Sequence, residues 1–92
     1  MDDRMQVLRV FFEDGVLRQL PARQRKKEIV LEEIVRMLPE AASFDEREIN
    51  ALVTPIFGDY CVIRRLLIDI GLMERKDGQY RFTAKGRALR AA

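Results

Sequence analysis

Histidine and tryptophan are absent from the 92 residues, and there is a single cysteine, Cys61, and a single serine, Ser43. Without histidine the chain lacks the usual general base near neutral pH and the commonest metal ligand. Ser-His-Asp and Cys-His nucleophiles are excluded. One cysteine cannot form an internal disulfide, cannot supply a structural zinc site, and suits a reducing compartment. The five glycines stand singly at 15, 58, 71, 78 and 86, so no glycine-rich phosphate loop is present. No run approaches the roughly 20 apolar residues that cross a bilayer. The opening Met1-Asp2-Asp3-Arg4 is acidic where a signal peptide is basic. The expectation is a cytoplasmic, non-catalytic protein with no metal and no cofactor.

What is present is hydrophobic content of 48% and charged content of 35% in a chain of one-domain size. Residues 1–92 are therefore read as one domain. A core this small is barely sufficient, which makes self-association an open alternative. The net charge is only +2, but it is unevenly distributed. Residues 1–58 hold nine Lys/Arg against eleven Asp/Glu, whereas 59–92 hold eight against four. A basic second half points to a polyanion as partner.

Apolar spacing predicts a helix over 3–13, with Met5, Leu8 and Phe12 in its stripe and Val7 and Phe11 beside it. Asp14-Gly15 is a turn, and 16–20 reads as extended up to Pro21. A second helix over 22–38 carries Ile29, Val30, Ile34, Met37 and Leu38 on its apolar stripe. Its first turns hold Arg23, Arg25, Lys26 and Lys27, at the end where the helix dipole disfavours cations. Local pairing offers only Arg25 with Glu28, so an external anion is the functional alternative to a solvated face.

Asp45-Glu46-Arg47-Glu48 has the form of a capping box, with Phe44 and Ile49 placed as a hydrophobic staple. The helix it opens runs to about Val53. Asp59 caps a further helix to Ile70, closed by Gly71. Ile63, Leu66, Leu67 and Ile70 form its buried stripe, and Cys61, Arg64, Arg65, Ile68 and Asp69 its other face. Residues 72–82 read as a hairpin about Asp77-Gly78, and Thr83 caps a last short helix.

The order from Pro21 is helix, short extended segment, helix, turn, helix, hairpin, helix. It predicts an α+β, mainly helical, winged-helix-like fold: a helix-turn-helix plus a two-stranded wing, with an extra N-terminal helix and a short C-terminal one. Such an arrangement can set its second short helix in a DNA major groove. Tyr60, Arg64 and Arg65 on that helix are the candidate contacts, with Arg75, Lys76 and Arg81 on the wing and Arg23, Arg25, Lys26 and Lys27 as further phosphate contacts. Three plainer readings remain. Arg65 could pair with Asp69, one arginine could lie over the acidic helix start at 45–48, and Asn50 could bond locally instead of reading adenine. The alternative function is a protein-interaction or dimerisation module without nucleic-acid binding; RNA binding ranks third.

Several blocks together resemble one prokaryotic family. They are Phe11-Phe12-Glu13-Asp14-Gly15, Leu20-Pro21-Ala22-Arg23-Gln24-Arg25-Lys26-Lys27, Asp45-Glu46-Arg47-Glu48-Ile49-Asn50, Asp59-Tyr60 with Arg64-Arg65-Leu66, and Gly71-Leu72-Met73-Glu74-Arg75 before Asp77-Gly78. The family is the Domain of Unknown Function numbered two thousand and eighty-seven, and the likeness covers about residues 11–82. It implies a small bacterial protein or a domain attached to helix-turn-helix transcriptional regulators, and it implies no activity or ligand. The family pattern often has a histidine shortly before the Asp59 position; this chain has Phe57 there.

Overall fold

The computed structural model describes residues 3–91. The elements are α1 (Asp3–Phe11), β1 (Phe12–Glu13), β2 (Val16–Leu17), α2 (Gln24–Met37), β3 (Phe44–Asp45), α3 (Glu46–Val53), α4 (Tyr60–Asp69), β4 (Met73–Lys76), β5 (Gln79–Phe82) and α5 (Ala84–Ala91). The fold is α+β and winged-helix-like. The helix-turn-helix is α3–α4, the wing is β4–β5, and β3 completes an antiparallel sheet in the order β3-β5-β4.

Local chemistry explains most of the element ends. Asp45 Oδ1 accepts from the Glu48 N–H at 2.7 Å and Glu48 Oε1 accepts from the Asp45 N–H at 2.9 Å, the reciprocal pair of a capping box. Asp45→Ala is expected to cost about 1 kcal/mol, read from urea unfolding midpoints. Helix α4 ends in a Schellman motif. Gly71 takes φ +82°, its N–H reaches the Ile68 carbonyl at 3.0 Å, and the Leu72 N–H reaches Leu67 at 2.9 Å. Both hairpins turn on Asp-Gly, with φ of 53° and 79° at Asp14 and Gly15 and 53° and 76° at Asp77 and Gly78. Positive φ at both positions is the type I′ turn, whose twist matches that of paired strands.

Helix α2 is the axis of the core. Val30, Leu31, Ile34 and Val35 are each 0% exposed, because α1, α4 and α5 all pack against it. The single stripe expected for this helix is therefore too narrow. Leu31 and Val35 are buried as well, and Met37 is 38% exposed. Arg90 of α5 closes the far end of α2. Its Nη1 donates to the Val35 carbonyl at 2.8 Å and to that of Leu38, while the guanidinium lies 4.6 Å from the Phe82 ring centroid. A cation there also complements the helix dipole.

The N-terminal segment departs from expectation in two ways. Helix α1 stops at Phe11, because Phe12 and Glu13 pair with Leu17 and Val16 to form a hairpin. Its buried side is Val7, with Leu8 and Phe11 packed against the core, whereas Met5 is 56% exposed. Arg4 is compatible with this rotation: its guanidinium reaches Glu32 and Glu33 of α2, each at 3.2 Å. The hairpin docks on the helix-turn-helix through the Leu17 N–H, 2.8 Å from the Ile56 carbonyl.

Candidate nucleic-acid interface

Helix α4 buries Ile63 and Leu67 completely and turns Cys61, Arg65 and Asp69 to solvent, four residues apart on one line. Asp59 Oδ1 accepts from the Val62 N–H at 3.4 Å at its start. Among the described residues Arg65 makes no ion pair, so the expected alternative of a pairing with Asp69 is not realised.

Arg64 does not point to water beside Arg65, and this corrects the expectation that the two face outward together. One residue of helix rotation carries Arg64 to the edge that α3 covers. Its Nη2 lies 3.1 Å from Glu46 Oε1, its Nη1 donates to Asn50 Oδ1, and its side chain is 18% exposed. Glu46 and Asn50 are four apart and so share one face of α3. The reading in which an arginine lies over the acidic start of the preceding helix describes Arg64, and the Asn50 side chain, expected to bond to nearby backbone, accepts instead from Arg64 on the next helix.

The wing is also divided. Arg75 is paired in register with Tyr80, and Met73 with Phe82, while Glu74 stands opposite Arg81 and Lys76 opposite Gln79. Strand alternation therefore sends Arg75 to the side of the buried Tyr80 and sends Lys76 and Arg81 to the other face. The expectation that all three wing cations stand beside α4 is corrected accordingly. Arg75 Nη2 is 3.7 Å from Glu46 Oε2, so one carboxylate serves a guanidinium from α4 and another from β4. Both guanidiniums lie on the Tyr80 ring, Arg64 at 5.8 Å and Arg75 at 5.7 Å from its centroid. Tyr60 is half-buried, 6.0 Å from Arg64, and acts as packing for that side chain.

The start of α2 forms a separate surface. Arg23, Arg25 and Lys26 are exposed and Lys27 is half-buried. Arg23 occupies the N-cap without a side-chain cap bond, and no acidic residue stands in the first turn. Glu28 accepts from Gln24 at 3.0 Å and Glu13 pairs with Arg18, so neither neutralises these cations.

Glu46 is the central residue that sequence reasoning passed over, taking it for one acid among several at a helix start. Its spacing to Asn50 was the available signal. Among the described residues no group of three or more His, Cys, Asp or Glu is arranged to hold a metal ion, and no helix is long and apolar enough to cross a membrane.

A family described as an uncharacterized protein conserved in bacteria (DUF2087) matches residues 16–82. The chain belongs to this family. The DUF2087 region takes in the helix-turn-helix and the wing, as well as the basic start of α2. It begins after α1 and β1, so Phe11 to Gly15 lie outside the match. No curated protein and no solved structure matches the chain.

Proposed function

We propose that this chain is a non-catalytic DNA-binding domain that lays α4 against the duplex and flanks it with the wing. The observation that supports this reading is Arg65: an exposed guanidinium without an acidic partner among the described residues, midway along the second helix of a helix-turn-helix that leads into a two-stranded wing. An arginine in that position can take a guanine edge bidentately, and Lys76 beside the wing turn can take a phosphate. A role among transcriptional regulators belongs to the same proposal.

Fluorescence anisotropy with mixed-sequence duplex DNA over a salt series tests it. The expected result is a Kd of roughly 1–100 μM with a steep loss of affinity on adding salt. Arg65→Glu should weaken binding about tenfold and reduce the salt slope by about 1, with the thermal midpoint unchanged. Arg25→Glu reports whether the start of α2 shares the footprint. Absence of binding at low salt overturns the proposal.

One observation favours a protein-interaction module as the second reading. Val10 is 66% exposed on α1, and a groove of about 420 Å³ lined by Val7, Val10, Phe11 and Ile29 runs beside it with Arg25 and Lys26 on its rim. Exposed apolar side chains of this size mark contact surfaces when they gather in one patch. Light scattering distinguishes the two: a stable dimer that binds no DNA supports this reading.

A further inference from the structure

The Arg64–Glu46–Arg75 bridge joins the helix-turn-helix to the wing through a single carboxylate. We propose that Arg64 and Arg75 form a two-guanidinium clamp for a phosphate and that Glu46 occupies it in the free protein, as an internal competitor. The proposal rests on the DNA-binding reading in that it takes the phosphate to be a backbone phosphodiester.

Three features carry it. First, the geometry is that of phosphate recognition. Each oxygen of Glu46 faces a different guanidinium, at 3.1 and 3.7 Å, and a phosphodiester offers two non-bridging oxygens in the same fork. Second, two cations share one anion, and around the same cleft Arg65 adds a third positive charge and Asp69 a second negative one, so one positive charge remains uncompensated. Third, the guanidiniums are held in place by something other than the carboxylate. Both rest on the Tyr80 ring, and Asn50 Oδ1 accepts from Arg64, so the pair stays assembled when Glu46 leaves. A cleft of about 290 Å³ lined by Arg64, Arg65, Arg75 and Tyr80, with Asp69 at its α4 side, opens above them, with room for the incoming group.

Glu46 is well placed to leave. Its side chain is 45% exposed, and that of Arg75 is 52% exposed, so the bridge is solvated and weakly held. Glu46 is the first residue of α3, where its charge also complements the helix dipole. Swinging outward keeps that interaction while freeing the clamp. Binding and release of a phosphate would then alter the tie between α4 and the wing.

The test uses the full chain and two probes, mixed-sequence duplex DNA and inorganic pyrophosphate. Glu46→Gln is expected to bind DNA about three- to tenfold more tightly than wild type, with the salt slope steeper by about 1. Glu46→Asp, which keeps the charge but shortens the reach, should fall between. The double change Glu46→Gln with Arg75→Gln should lose the gain. In NMR spectra of the arginine Nε–Hε groups, pyrophosphate should shift Arg64 and Arg75 more in Glu46→Gln than in wild type. DNA binding that Glu46→Gln does not tighten, in a variant that melts like wild type, overturns the clamp and leaves the DNA reading standing. Pyrophosphate shifts at both arginines with no DNA binding overturn the DNA reading and keep the clamp, with free phosphate compounds as its source. No DNA binding together with no pyrophosphate shift at Arg64 or Arg75 overturns both.

Discussion

Gly86→Ala is expected to destabilise this protein by about 1–3 kcal/mol, although the same exchange in an open helix interior stabilises by roughly 0.5–1 kcal/mol. The sign reverses because of what a Cβ at position 86 would meet. It would fall 2.3 Å from the Leu72 carbonyl oxygen, 3.3 Å from the Leu72 carbonyl carbon and 3.5 Å from Phe82 Cβ. The nearest obstacle is backbone, which cannot rotate away as a long side chain can. Nor can that backbone shift freely, since the Leu72 carbonyl accepts from the Thr83 N–H at 3.1 Å and the Leu72 side chain is 0% exposed.

The strain therefore falls on α5. Thr83 Oγ1 accepts from the Gly86 N–H at 3.2 Å, so displacing Gly86 also loosens the cap of the helix. Moving α5 carries Arg90 away from the carbonyls at the end of α2. For a chain of this size the thermal midpoint should fall by roughly 4–8 °C per kcal/mol, which calorimetry resolves easily. An unchanged or raised midpoint would show that α5 stands off from the Leu72 backbone.

The parts of this fold that the sequence made legible are those set by residues a few positions apart. The capping box at Asp45 and Glu48, the Schellman glycine at 71, the Thr83 cap and the Asp77-Gly78 turn each need only a short stretch of chain to explain them. What escaped depends on distant partners. The rotation of α1 depends on how Val7, Leu8 and Phe11 pack on the core, with Arg4 meeting Glu32 and Glu33, and the burial of Leu31 and Val35 follows from three helices surrounding α2. The candidate interface divides in the same way. Arg65 is exposed because of its position on its own helix, whereas Arg64 turns inward because α3 brings a carboxylate and an amide alongside. The division of the wing is different in kind, because a period of two along β4 and β5 was available from the residues alone. Treating the hairpin cations as one group overlooked that alternation.

Tyr80→Ala should have the largest effect of any single truncation near the interface, about 3–5 kcal/mol by analogy with buried aromatic residues. Tyr80 is 2% exposed on the central strand of the three-stranded sheet, facing Phe44 on one neighbour and Arg75 on the other. Its removal leaves a cavity in the sheet where α3 and α4 pack against it. Against a total stability of roughly 5–15 kcal/mol, such a loss leaves a substantial unfolded population near physiological temperature. Tyr80→Phe keeps the ring and should stay within about 1 kcal/mol of wild type by chemical denaturation. Tyr80→Leu separates packing from electrostatics, since it restores much of the volume without the π face on which Arg64 and Arg75 rest. A double-mutant cycle between Tyr80→Leu and Arg75→Gln should return a coupling of about 0.5–1 kcal/mol, the range for a partly exposed cation over an aromatic ring. A coupling of zero would mean that the ring only fills space and that Glu46 alone sets the position of the wing arginine. A coupling in the expected range would make Tyr80 the residue that links core packing to the geometry of the basic cleft, because the side chain that closes the sheet also fixes the two guanidiniums above it.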